Sequence, residues 1–223
     1  MAQFFLKKIL IICIIIHYSF ITILFIGLIV TAYIWPYEAR KALRQGLSDL
    51  LIRLSWLYKH LSTTHDAEEM LFHQTECQQA LVTLRDLLVH APSEPRLKGP
   101  FPTATYNSML NSCQNILDKF LSLRIVVLKD VWPVHVHQQI LMGASSEFME
   151  MTGNVLLYFY VLASALQLKT PLPPYLPPAD RARVSLMRKL QYDLGLKSDE
   201  CYMAYYAYIA LMENIVRELT QVQ

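Results

Sequence analysis

The chain has 223 residues, of which 54% are hydrophobic and only 17% charged. Soluble domains average about 25% charged residues and disordered chains are poor in apolar side chains, so a wholly disordered, collagen-like or rod-like protein is excluded and a membrane-embedded portion is indicated. All 18 acidic residues follow residue 37, as do 18 of the 20 basic ones, so the net charge of +2 rests on Lys7 and Lys8 alone. The balanced remainder generates no field to gather nucleic acid, and no nucleic-acid partner is expected.

The first predicted element is a membrane helix. Ile9 to Trp35 is an uncharged run of 27 positions, about 40 Å long as a helix against a hydrocarbon core of about 30 Å. A cleaved signal peptide has a shorter apolar stretch of about 7 to 15 residues and a small-residue cleavage site, so a retained anchor is favoured. Lys7 and Lys8 precede the run, while Arg40, Lys41, Arg44 and Arg53 follow it, and this narrow majority places the C-terminal side in the cytosol. Tyr33, Trp35 and Tyr37 form an aromatic belt at the exit, and Pro36 ends the helical pattern. His17 reads as a neutral histidine packed on another helix. Gly27 and Thr31 make a small-xxx-small spacing suited to close packing with another helix.

Behind the anchor, helical periodicity dominates. Leu43, Leu47, Leu50, Leu51, Leu54, Leu57, Tyr58 and Leu61 run down one face of a helix predicted from Tyr37 to Ser62. Asp66 is expected to cap a helix ending near His90, with Met70, Leu71, Cys77, Leu81, Leu84, Leu87 and Leu88 inward; Thr103 is expected to cap another ending near Lys129. Met151 to Leu168 is uncharged and could be a second membrane pass, but Asn154, Ser164 and Gln167 favour the buried central helix of a bundle. A last helix is predicted from about Ser198 to Val222. Two proline-rich loops separate these elements, at 91–102, expected to be non-helical, and at 170–178, expected to form a polyproline II strap.

Chemistry-bearing patterns are sparse. Cys13, Cys77, Cys113 and Cys201 form no CxxC pair, and buried cysteines at helical spacing act as small hydrophobes. His135 and His137 could share a metal only on an extended segment, because alternate residues diverge by about 200° on a helix. His73 and Cys77 are one turn apart, which supplies two ligands where a site needs three or four. There is no phosphate loop, GxSxG or HExxH motif, and the Glu68, Glu69 and Glu147, Glu150 pairs read as surface carboxylates. No catalytic, cofactor or metal site is expected, nor an enzyme.

Three stretches carry a resemblance: TAYIWPYEARKALRQGLSDLLIRLSWLY (31–58), EPRLKGPFP (94–102) and YVLASALQLKTPLPPYLPPA (160–179). Together they resemble the C-terminal region of fungal aromatic-acid-exporter-like membrane proteins, related to fusaric acid resistance proteins and to the brefeldin-A-sensitivity protein. The motif matches are Pro36, Arg40, Glu94, Arg96, Gly99, Pro100, Lys169, Pro173, Pro174 and Tyr175, for which the resemblance implies structural roles. It further implies a cytosolic domain of uncharacterised function that follows the last membrane helix of a transporter, in the endoplasmic reticulum or plasma membrane. Members of that group carry many membrane helices, so the expectation is a truncated member, not competent for transport alone.

The resulting expectation is an all-α protein with one transmembrane anchor at 1–36, spanning about 9–35, and a cytosolic helical domain at 37–223. Its partners would be the lipid bilayer and membrane helices of a full-length homologue or of a second copy. The alternative is a single-pass scaffold acting through helix self-association and the proline strap.

Overall fold

The computed structural model describes residues 2–30, 38–63, 67–94, 100–128, 134–173, 175, 179–192 and 209–219. The chain divides into two units, Met1–Glu38 and Ala39–Gln223. Among the described residues there are helices and no strand.

The first unit is built on α1, Ala2–Ile29. Its stretch Ile11–Ile29 is long and apolar enough to cross a membrane, at about 28 Å of rise. Residues 11–30 are all exposed within the unit. The Thr22 hydroxyl lies 3.0 Å from the Tyr18 carbonyl and 2.9 Å from that of Ser19, so this polar group is satisfied inside its own helix, as an apolar environment requires. The helix begins earlier than the expected span and includes Lys7 and Lys8, because nothing in AQFF breaks it. The expected exit at Tyr33, Trp35, Pro36 and Tyr37 lies outside the described residues.

The second unit is a helical bundle of α2 (Ala39–Thr63), α3 (Ala67–His90), a 3-10 turn (Ala91–Ser93), α4 (Thr103–Leu128), α5 (Val134–Leu168), α6 (Ala179–Tyr192) and a helical stretch at 209–219. The eight residues predicted to line the inner face of α2 are all buried. They recur at i, i+3, i+4 and i+7, and this wide stripe lets α2 pack against α3, α4 and α5 together. The centre of the bundle is therefore α2 and not the 151–168 segment. In α5 the buried residues Met151, Val155, Tyr158, Phe159, Leu162 and Ala163 form one stripe, leaving Leu157, Tyr160 and Leu168 outward. That stripe packs on α2 and α6.

Polar contacts fix the register. Ser48 on α2 donates across 2.9 Å to the Ala163 carbonyl of α5 in a buried bond. Tyr58 stacks on Phe120 of α4, with ring centroids 6.1 Å apart. Arg183 of α6 pairs with Glu213 at 3.2 Å, and Asn115 of α4 donates to Glu218 at 3.1 Å, tying the 209–219 stretch into the bundle.

Several boundaries differ from the sequence expectation. Thr103 is the first helical residue of α4 and not its cap; its amide and hydroxyl both point back to the Phe101 carbonyl, at 2.9 and 3.4 Å. Residues 91–93 form a 3-10 turn where a non-helical loop was expected, since Pro92 fits the start of a helical turn. The helix α6 forms where no helix is expected; among its described side chains Ala182 and Leu186 are buried and Met187 is partly buried against the core. Asp66, Cys201 and the start of the last predicted helix lie outside the described residues.

Candidate functional site

The two motif stretches at 31–58 and 94–102 meet at the start of α2. There the backbone amide of Arg40 donates to Glu94 Oε1 at 3.1 Å, so a carboxylate from a distant loop caps the helix N-terminus, where its charge also suits the helix dipole. The Arg40 side chain completes a clasp. Its Nε donates to the Ala91 carbonyl at 3.1 Å and lies 3.4 Å from Glu94 Oε2, while its guanidinium sits 5.3 Å above the Phe101 ring. Phe101 in turn stacks on Tyr106 at 4.9 Å. The arrangement can hold the proline-bearing loop onto α2; it offers no reacting group.

The third motif stretch ends α5. Lys169 has φ 57, the left-handed position that follows a helix, and the Thr170 amide returns to the Ala165 carbonyl at 3.2 Å. Pro173 and Tyr175 follow on the surface side, with Tyr175 strongly exposed. Pro100 is exposed. Pro36, Arg96, Gly99, Pro174 and Thr31 lie outside the described residues. A Cβ built on Gly27 meets no atom within 4 Å.

A second cluster lies in a groove of about 340 Å³ between α2 and α3, lined by Asp49, Ile52, Arg53, Trp56, His73 and Glu76. Asp49, Arg53, Trp56 and His60 stand on one face of α2, and Glu69, His73 and Glu76 on the facing side of α3. Arg53 pairs with Glu76 at 3.2 Å. The His60 and His73 rings stack with centroids 5.6 Å apart, and both reach towards Glu69. Sequence reading paired His73 with Cys77, but Cys77 is turned into the core. The true neighbour of His73 is His60, 13 positions earlier, and only the packing of α2 on α3 could reveal it.

The described cysteines of the bundle behave as core residues. Burial pushes the Cys77 thiol up to about 11, with Arg53 opposing and Glu76 adding to the effect. Burial likewise raises Cys113 to about 12, reinforced by Cys77 and Glu218. Such thiols are poor nucleophiles near neutral pH. His135 and His137 both fall within α5, so the extended segment they would need to share a ligand is absent.

The profile of the family described as "Brefeldin A-sensitivity protein 4-like domain" matches residues 38–221. The chain belongs to this family. The brefeldin A-sensitivity domain thus begins one residue before the second structural unit. Protein BRE4 of Eremothecium gossypii is 22% identical over 181 residues, which cover 75% of this chain and 17% of that protein. The chain therefore spans less than a fifth of the length of this curated relative. Neither match is described as an exporter. No solved structure matches.

Proposed function

We propose that the chain is a membrane-tethered brefeldin A-sensitivity domain that serves assembly or regulation of a larger membrane unit and performs no catalysis of its own. The observation that carries the reading is the contrast between the two units. The side chains of α1 from residue 11 to residue 29 are exposed and almost wholly apolar, whereas the bundle closes a core of its own from Ala39 to Leu219. A helix of that kind finds its stable environment in lipid. The basic residues after it favour a cytosolic bundle, in the endoplasmic reticulum or plasma membrane.

The exporter and fusaric acid part of the resemblance gives this proposal its partner: a longer relative with many membrane helices. By itself α1 encloses no pathway, so transport would belong to the assembly. Crosslinking in membranes that contain both this chain and a longer family member tests the idea. Crosslinks from the bundle to that member support it, and their absence at matched expression contradicts it.

A second reading is self-association through α1, favoured by the small-xxx-small spacing of Gly27 and Thr31. Two differently tagged copies then co-isolate from detergent, and Gly27→Leu separates them. Co-isolation unaffected by Gly27→Leu contradicts that reading.

A further inference from the structure

The geometry points to a zinc site that clips the last turns of α2 to the first turns of α3, with His60, Glu69 and His73 as protein ligands and Glu76 as the orienting carboxylate. The inference stands on the α2–α3 cluster alone and is independent of the membrane reading.

One donor atom from each of His60, Glu69 and His73 lies within 4.8 Å of the others. His60 Nδ1 is 4.0 Å from Glu69 Oε2, and His73 Nε2 is 3.9 Å from Glu69 Oε1. Both separations exceed the roughly 2.7–3.2 Å of a nitrogen–oxygen hydrogen bond. The three side chains therefore converge without bonding directly, as donors around a shared centre do. A tetrahedral zinc ion with bonds of about 2.0–2.1 Å places neighbouring donors about 3.4 Å apart, so donors within 4.8 Å of one another would close by up to about 1.4 Å, a movement that side-chain rotation supplies. None of the three is locked in the core: His60, Glu69 and His73 have side-chain exposures of 30%, 49% and 23%.

The surroundings of His73 supply an independent indication. Its Nε2 faces Glu69, while its Nδ1 lies 3.5 Å from Glu76 Oε2. Glu76 is itself held by Arg53 at 3.2 Å. A metal-binding histidine commonly directs its second ring nitrogen to a carboxylate that fixes its orientation and raises its basicity. The Arg53–Glu76–His73 order sets a carboxylate beside Nδ1 at 3.5 Å, longer than a formed hydrogen bond, so a small turn of the ring would complete that arrangement while Nε2 faces Glu69.

The ligand set selects the metal class. Two imidazoles and one carboxylate suit a late first-row divalent ion such as zinc, whereas calcium and magnesium require mostly oxygen donors. Three protein ligands leave the fourth position to water or to a group from a partner. Bound there, the ion crosslinks two helices that are already packed together, and so stabilises the folded bundle.

The test uses the full chain in detergent, with any affinity tag removed and bound metal stripped by a chelator. Zinc is titrated in competition with a chelator, and the thermal midpoint is read with and without zinc. One zinc per chain at micromolar affinity or tighter is expected, with a raised midpoint that magnesium does not reproduce. His60→Ala and His73→Ala should each weaken zinc binding at least tenfold, and Glu76→Gln by about tenfold. His90→Ala, an exposed histidine at the far end of α3, should bind as wild type. Midpoints measured in chelator should agree among all variants, which separates a lost ligand from a lost fold. Absence of zinc binding by the wild-type chain at micromolar concentration overturns the inference, and so does wild-type affinity in the His60→Ala/His73→Ala double variant.

Discussion

Arg40 and Glu94, 54 positions apart, meet at the N-terminus of α2, where the carboxylate accepts the Arg40 backbone amide at 3.1 Å and faces its guanidinium Nε at 3.4 Å. Their side chains are only 14% and 17% exposed, so the pair is partly shielded from solvent. Glu94→Gln removes the charge at the helix terminus and should cost about 1–2 kcal/mol. Arg40→Ala also loses the bond to the Ala91 carbonyl and the contact over Phe101, and should cost about 1–3 kcal/mol. Denaturant unfolding of both single variants and the double variant in detergent should yield a coupling energy of about 1 kcal/mol. Additive single effects would mean that the two side chains act separately.

Much of the inner surface was legible in the sequence, and the reason is visible in α2. Its eight predicted core residues lie on one helical stripe, and helical periodicity alone places them on one face. The same signal was not followed at α6, whose described apolar residues divide between Ala182 and Leu186 in the core, Met187 partly buried and Val184 exposed. It also misjudged rank: the 151–168 segment is more apolar than α2, yet α5 packs on α2 and α6 whereas α2 packs on the three helices α3, α4 and α5. The motif residues Arg40 and Glu94 could be named from sequence, yet their mutual contact depends on how the 3-10 turn folds back. The His60–His73 pair was hidden for the same reason, since residues 13 apart on different helices share no local periodicity.

The close approach of α2 and α3 rests on a glycine. A Cβ added at Gly46 would lie 2.6 Å from Leu84 Cδ2, and Leu84 is itself in the core. The helix gains about 0.5–1 kcal/mol when glycine becomes alanine in its interior, but displacing a packed leucine costs about 1–3 kcal/mol. Gly46→Ala should therefore destabilise the chain by up to about 2.5 kcal/mol. In a Leu84→Ala background the clash is gone and the same change should stabilise. Thermal unfolding of the four chains checks this reversal of sign; equal effects in both backgrounds would show that Leu84 yields without cost.

Acid should loosen the contact between α5 and α6. Lys189 Nζ donates to both oxygens of Glu147 at 2.9 Å, and Ser146 adds a bond at 2.7 Å. These bonds, led by that from Lys189, lower the Glu147 carboxyl from 4.5 to about 2. A folded-state pKa below the unfolded one contributes stability that is complete above the unfolded value and is lost as pH falls through the folded value. The loss attributable to this group should therefore run from about pH 4.5 down to about pH 2. Comparing the acid dependence of unfolding in wild type and Lys189→Ala isolates it. An unchanged profile in that pH window would contradict the linkage.

The membrane tether is the claim on which the functional account depends, and alkaline extraction of membranes expressing the full chain tests it most directly. The apolar, exposed surface of α1 from Ile11 to Ile29 predicts that the chain stays in the membrane pellet, and that deleting residues 1–37 releases the bundle to the supernatant. Release of the full chain into the supernatant would contradict a spanning helix.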